Sequence, residues 1–441
     1  MTRLRRAGRL GATALVVGLL VSAAPAVAHA GGPASGVVAA SRDQCVASTR
    51  ISQTPPALDQ LQSASAWTFT RGAGVTVAVV DSGVAPNPHL DDAIVAGVNL
   101  VPDGTDGIGR TDVYGHGTVI AGQIAARVIP KSGVQGLAPE VRILPVRVYA
   151  GDSDQLVEAG FGPNTARMAE GIRIAADRGA QIINVSMSTT EKNAALGEAV
   201  AYARDRGSLV VASAGNRDST AAVEDDDTDG VRYPAGFPGA VGVAATDTSG
   251  VVTNASIRGS HVALAAPGQD IASAWPQGGD CAVATDGPAT SYAAAYVSAA
   301  AALVAAAHPD ETPAQWAYRL EATAVRPQPD TRSNASGWGV VQPYDAIVLV
   351  PGAGLRGPSS PFPGATATPA PTGTPAPVAV VVGPGPDAEA ITLATGIGVA
   401  GLVVLAAIGA LAILVSRRRE DDAPPRPAPT GRGLYGDDRG M

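Results

Sequence analysis

The chain has 441 residues, a formal net charge of −8, two cysteines and five histidines. Its length allows two or three domains. The acidic balance, with no basic cluster outside the segments flanking two long apolar runs, excludes nucleic acid as a partner.

In chain order, "MTRLRRAGRL" is a basic n-region, "GATALVVGLLVSAAPAV" an apolar h-region and "AHA" at 28–30 an A-x-A cleavage site. Residues 1–30 therefore read as a signal peptide for export, with an N-terminal membrane anchor as the alternative. Residues 31–65 form an extension carrying Cys45, and Cys281 lies ten residues before Ser291. In an exported protein an even cysteine count favours pairing over buried free thiols, so a Cys45–Cys281 disulfide is expected. Near the other end, residues 351–389 are dominated by proline and alanine and read as an extended, semi-rigid linker. Residues 390–415 then run 26 positions without a charge. As a helix this run reaches about 39 Å against a hydrocarbon core of about 30 Å, which predicts one C-terminal transmembrane helix. Arg417, Arg418 and Arg419 follow at once and mark the cytoplasmic side, so 416–441 read as a polar cytoplasmic tail. The expected location is the cell membrane, single-pass, with the large central domain extracytoplasmic.

The centre alternates short apolar runs with alanine-rich helical patterns. "VTVAVVD" (75–81), "RILPVRVY" (142–149), "QIINVSMS" (181–188), "SLVVASAG" (208–215) and "AVGVAAT" (240–246) predict buried strands. "GTVIAGQIAARV", "NTARMAEGIRIAADRG", "ALGEAVAYARDRG" and the stretch after Ser291 predict helices. Strands apolar on both faces that alternate with helices imply an α/β fold whose parallel sheet is covered on both sides. Function in such folds gathers at the carboxyl ends of the strands.

Five features lie there. Asp81 ends a strand and reads either as a cap or turn former or as a functional acid. His116 sits between two glycines at a helix start, where the dipole disfavours the imidazolium and helps keep a base neutral. Ser291, in the Thr-Ser cap of an alanine-rich helix, is either a structural cap or a nucleophile at the positive end of a helix. Asn216 ends "VVASAGN", where its amide can donate to a developing oxyanion, an effect worth about 3–4 kcal/mol. Ser186, Met187 and Ser188 with Ser213, Ala214 and Gly215 offer two small-residue walls along which an extended peptide can pair as an added strand.

The order Asp, His, Asn, Ser is that of subtilisin, unlike chymotrypsin or the α/β-hydrolases, and "ATSYA" lacks the G-x-S-x-G of the latter. "VAVVDSGV", "GHGTVIAGQIAA", "GLAPEVRILPVRV", "NVSMS", "SAGN", "YPAGFPGAVGVAAT", "AAPG" and "TSYAAAYVSAAAALV" also fall in the order of that family. Residues 66–350 thus resemble the subtilisin-like (S8) serine proteases. The whole layout resembles the mycosins, the membrane-anchored members associated with type VII secretion in actinobacteria. The resemblance implies a three-layer sandwich around a mainly parallel central sheet, plus the one C-terminal transmembrane helix. It implies Ser291 as nucleophile, His116 as general base and then acid, Asp81 as its orienting partner and Asn216 as oxyanion donor. The implied activity is that of a serine endopeptidase working through an acyl-enzyme on a protein or peptide substrate. No cofactor is required, and the implied partner is a type VII secretion membrane complex in the cell envelope.

Three positions depart from the family: Ala289 and Ser188 replace glycines, and Ala295 replaces a proline. Ala289 and Ser188 add atoms beside the expected path of the substrate backbone. That predicts a preference for small residues or low activity, and it keeps open a slow or idle protease fold that stabilises the secretion complex. The extension of about 35 residues is short for a chaperone-like propeptide but suits the mycosins. Such folds often bind calcium through carboxylates, so a structural calcium site at "EDDDTDG" (224–230) is conceivable. The run lacks EF-hand spacing and reads as a solvated acidic loop, so no metal ligand is assigned.

Overall fold

Short, largely apolar runs rich in β-branched and alanine residues form one seven-stranded sheet in the protein, whose computed structural model describes residues 45–217, 228–352 and 354–364. The strands are β1 (Thr76–Asp81), β2 (Val98–Asn99), β3 (Arg142–Arg147), β4 (Ile182–Val185), β5 (Leu209–Ser213), β6 (Ala240–Thr246) and β7 (Val262–Pro267). Their order is β2-β3-β1-β4-β5-β6-β7, and every pair is parallel. An antiparallel pair, β8 (Ile271–Ala274) and β9 (Asp280–Val283), stands apart from it.

The helices are α1 (Pro56–Gln60), α2 (Ser63–Ala66), α3 (His116–Ala125), α4 (Asp154–Glu158), α5 (Thr165–Asp177), α6 (Ala194–Asp205), α7 (Thr290–Ala307), α8 (Pro313–Thr323) and α9 (Pro343–Val348). β1 shows how the layers arise. Val77 and Val79 enter a core with α3 and α7, whereas Ala78 and Val80 enter a second core with α5 and α6. This is the period-two alternation of a strand buried on both faces. The expected three layers are therefore present.

Asn164 and Asn193 cap α5 and α6, each accepting from a backbone N–H three residues on. α7 is buried along almost its whole length. It is the one helix among the described residues long and apolar enough to cross a membrane, and 89% of its span is buried inside the protein, as for a core helix. The expected signal peptide, residues 31–44 of the expected extension, the segment 390–415, the expected tail and most of the expected linker lie outside the described residues. The linker begins as a docked strap: the Phe362 ring meets Tyr318 of α8 at 5.8 Å, and Arg356 pairs with Asp330.

β1 has β3 on one side and β4 on the other, so the chain changes direction across the sheet at β1. Such switch points open a crevice at the carboxyl ends of the strands. Asp81 is the last residue of β1.

Candidate active site

Two glycines let the start of α3 press onto the end of β1. A side chain on Gly117 would meet the Gly83 carbonyl oxygen at 2.1 Å and Cβ of Asp81 at 3.1 Å. Gly115 has φ +87° and lies under the Trp275 ring, 2.8 Å from where a Cβ would sit. The approach brings Nδ1 of His116 to 2.8 Å from Oδ1 of fully buried Asp81. Ser82 N–H (2.8 Å) and the Tyr149 hydroxyl (3.0 Å) donate to that same oxygen. Because the carboxylate only accepts, Nδ1 carries the proton and Nε2 is left as the basic nitrogen. The Tyr292 and Tyr114 rings flank the imidazole, with centroids 5.5 and 6.2 Å away.

Asp112 holds this loop, and sequence reasoning missed it. Its carboxylate accepts from Ser82 Oγ (2.9 Å), Gly115 N–H (2.8 Å), Thr118 N–H (2.9 Å) and Thr118 Oγ1 (2.6 Å). Ser82 Oγ in turn accepts from Gly117 N–H at 3.0 Å. Burial pushes the Asp112 carboxyl above the usual range, against the pull of these donors. The available signal was an aspartate three residues before a glycine at a helix start, an Asx pattern that satisfies the orphan N–H groups of a first turn.

The expected Thr-Ser cap of α7 differs in its detail. Ala289 is the N-cap residue and has no side-chain cap of its own. Asn216 supplies one from 74 residues upstream: its Oδ1 accepts from Thr290 N–H and from Thr290 Oγ1, both at 2.9 Å. With the amide oxygen committed, Asn216 presents its NH₂ group as the donor. Asn216 is exposed, and Ser291 is 8% exposed at the mouth of α7.

The groove residues divide. Ser186, Ser213 and Ala214 are buried and turn their side chains inward. Ser186 Oγ donates to the Ser291 carbonyl at 3.1 Å, and Ser213 Oγ lies 2.6 Å from Thr290 Oγ1. These serines hold the first turn of α7 instead of facing a ligand. Met187 is half-buried against the α5–α6 core. Ser188 is exposed, and its Oγ lies 3.0 Å from where a side chain on Gly215 (φ +98°) would begin. Ala289 is extended, φ −128°, a conformation open to any residue, so its methyl group costs volume and no backbone strain.

His116, Asn216, Ala289 and Ser291 open on one cavity of about 620 Å³, with the Tyr114 and Tyr292 rings and residues 282–287 as its remaining walls. The 282–287 wall is the continuation of β9, and β9 is where the extension is fastened. Cys45 and Cys281 form the expected disulfide. Next to it, buried Asp280 accepts from Ile51 N–H (2.8 Å), Ser132 Oγ (2.7 Å) and His89 Nε2 (3.0 Å). Burial pushes this carboxyl up, but those donors outweigh it and hold it below the usual range. Of the acidic run 224–230, residues 224–227 lie outside the described residues. Its Asp229 is engaged by Arg217 and by Arg258 N–H (2.7 Å).

Residues 72–339 match the family described as "Subtilase family". Mycosin-3 of Mycobacterium tuberculosis is 34% identical over 337 residues, 66% of this chain and 71% of the relative. Thermitase of Thermoactinomyces vulgaris is 40% identical over 219 residues, 49% of this chain and 71% of the relative. Among solved structures, the MycP3 protease from the type VII (ESX-3) secretion system is 33% identical with a TM-score of 0.59, covering 69% of this chain and 91% of that one. A chain of an intact ESX-5 inner membrane complex is 31% identical with a TM-score of 0.58, covering 84% of this chain and 92% of that one. The chain belongs to the subtilase family of serine endopeptidases and is of the mycosin type.

Proposed function

We propose that the chain is a membrane-anchored, extracytoplasmic serine endopeptidase that processes proteins of a type VII secretion system. The observation that carries this reading is the 2.8 Å His116–Asp81 bond at a cavity that Ser291 and Asn216 share. In the mechanism, His116 Nε2 takes the Ser291 hydroxyl proton as Oγ attacks the scissile carbonyl. The imidazolium then gives that proton to the leaving amine. Asp81 stabilises the imidazolium without taking its proton. The Asn216 amide and the Ser291 N–H donate to the oxyanion as charge develops on it. Water next attacks the acyl-enzyme with His116 again as base, and Ser291 is released.

The domain boundaries belong to the same proposal: signal peptide 1–30, extension 31–65, peptidase domain 66–350, linker 351–389, transmembrane helix 390–415 and tail 416–441. The likeness to a chain of the ESX-5 complex covers 84% of this chain, more than the peptidase domain alone, and favours a place within such a complex. Ala289 and Ser188, at the cavity and beside Gly215, favour a narrow substrate range over loss of activity.

A fluorophosphonate probe on the full chain in membranes tests the reading. Ser291 is expected to be labelled, and Ser291→Ala to abolish the label. A folded wild-type protein that takes no label at Ser291 overturns the protease reading and leaves the scaffold role. In the same assay Asn216→Ala is expected to slow labelling by about 10²–10³-fold. It should also lower stability by about 1 kcal/mol through the lost α7 cap, which thermal unfolding reads separately.

A further inference from the structure

Three hydrogen bonds converge on one oxygen of Asp81, and one of them comes from a side chain that has no place in the mechanism above. Val148 N–H donates to the Asp81 carbonyl at 2.9 Å, which carries the chain one step past the end of β3 and sets Tyr149 beside the carboxylate. The Tyr149 ring is buried, 4% exposed, with its hydroxyl 3.0 Å from Asp81 Oδ1 and 3.5 Å from His116 Nδ1. The other carboxylate oxygen, Oδ2, is buried without a hydrogen-bond partner. The phenol and the imidazole therefore compete for the same lone pairs. Burial, and then the charge of Asp81, push the Tyr149 phenol well above the usual tyrosine range, so it stays a donor throughout the working pH of the site.

We propose that Tyr149 is a positioning residue that lowers the basicity of His116 by drawing on the carboxylate oxygen that His116 needs. The proposal rests on the reading of His116 as the general base. A hydrogen bond from a neutral hydroxyl stabilises the carboxylate and weakens its hold on an imidazolium. The histidine thus stays neutral, and able to accept a proton, to a lower pH. The groups facing the imidazole are few. Asp81 comes from β1, Tyr149 from the end of β3, Tyr114 from the α3 loop and Tyr292 from α7, with Ser291 of α7 lining the same cavity. Behind them, Asp112 is spent on its four donors, and Asp152 accepts from the Tyr114 hydroxyl at 2.7 Å. Arg147 is turned away to Ser82 O (3.1 Å) and Asp103 (2.7 Å). Among these contacts, only Tyr149 touches both members of the His–Asp pair.

The test compares wild type with Tyr149→Phe, which keeps the buried ring and removes only the hydroxyl. Two readouts are used: the pH profile of fluorophosphonate labelling at Ser291, and the titration of His116 followed by NMR. Without the hydroxyl the imidazolium is better stabilised, so the acid limb should move up by about half a unit to one unit. Fluorotyrosine at 149, a stronger donor that leaves the fold intact, should move it down. Opposite shifts support the proposal. An unmoved midpoint in both variants, or a downward shift in the phenylalanine variant, overturns it. Failure of Ser291 to label, with the NMR midpoints shifted as stated, would count against the protease reading alone.

Discussion

Replacing His116 by alanine is expected to slow labelling of Ser291 by about a million-fold, and Asp81→Asn by about 10⁴-fold. A serine hydroxyl is a weak nucleophile near neutral pH, and the base proposed for it is the imidazole that Asp81 holds. Asp81→Asn should preserve the fold, since Ser82 N–H and Tyr149 still find a carbonyl oxygen at the same place. The neutral carboxamide, however, no longer stabilises the imidazolium that forms as His116 takes the Ser291 proton. The double variant should be no slower than His116→Ala alone, because the two residues act as a unit. Labelling rates of the three variants, each checked for folding by circular dichroism, measure this. Multiplicative losses in the double variant would mean that Asp81 acts apart from His116.

The meeting of Asp81 and His116 was legible in the sequence because it depends on local chemistry. Glycines on both sides of His116 announce close packing, and the structure supplies the contacts, Gly83 below and Trp275 above. Five strands, β1 and β3 to β6, were legible because largely apolar, β-branched runs leave few other fates. β2, β7, β8 and β9 were not: β2 is only two residues long, and "VALAAP", "IASA" and "DCAV" are short and rich in small residues that suit a loop or a helix as well. Asp112 and Tyr149 stayed hidden for another reason. Tyr149 carries no motif and gains its role from Asp81, 68 positions away, and the local Asx pattern of Asp112 gains its link to the site only through Ser82, 30 positions away. The groove shows the same limit. Ser186 and Ser213 look available in sequence, yet their hydroxyls are taken by the first turn of α7. Ala289 was singled out from sequence as an obstacle; its extended backbone makes it a small methyl wall on an unstrained chain.

Removal of the Cys45–Cys281 bond, by the double replacement Cys45→Ser/Cys281→Ser, is expected to cost about 2–5 kcal/mol of stability. The bond closes a loop of 236 residues, long enough that chain entropy alone sets a limit of about 5 kcal/mol. The realised loss should fall below that limit, because the extension keeps other ties to β9 and to the loop after α3. Asp280 N–H still donates to Thr49 O at 3.0 Å, Gly133 N–H to Ile51 O at 2.7 Å, and Ile51 N–H to the Asp280 carboxylate. Those ties, together with the buried His89–Asp280 pair, fix the base of β9, from which the 282–287 wall of the cavity extends. The site should therefore outlast the bond: at low temperature the variant is expected to label at Ser291 within a few-fold of wild type, while its unfolding midpoint drops by several degrees. Denaturant unfolding and labelling on the same sample separate the two effects. A stability loss under 1 kcal/mol would show that the hydrogen bonds alone hold the extension. Loss of labelling in a variant that remains folded would show instead that the disulfide sets the position of the cavity wall.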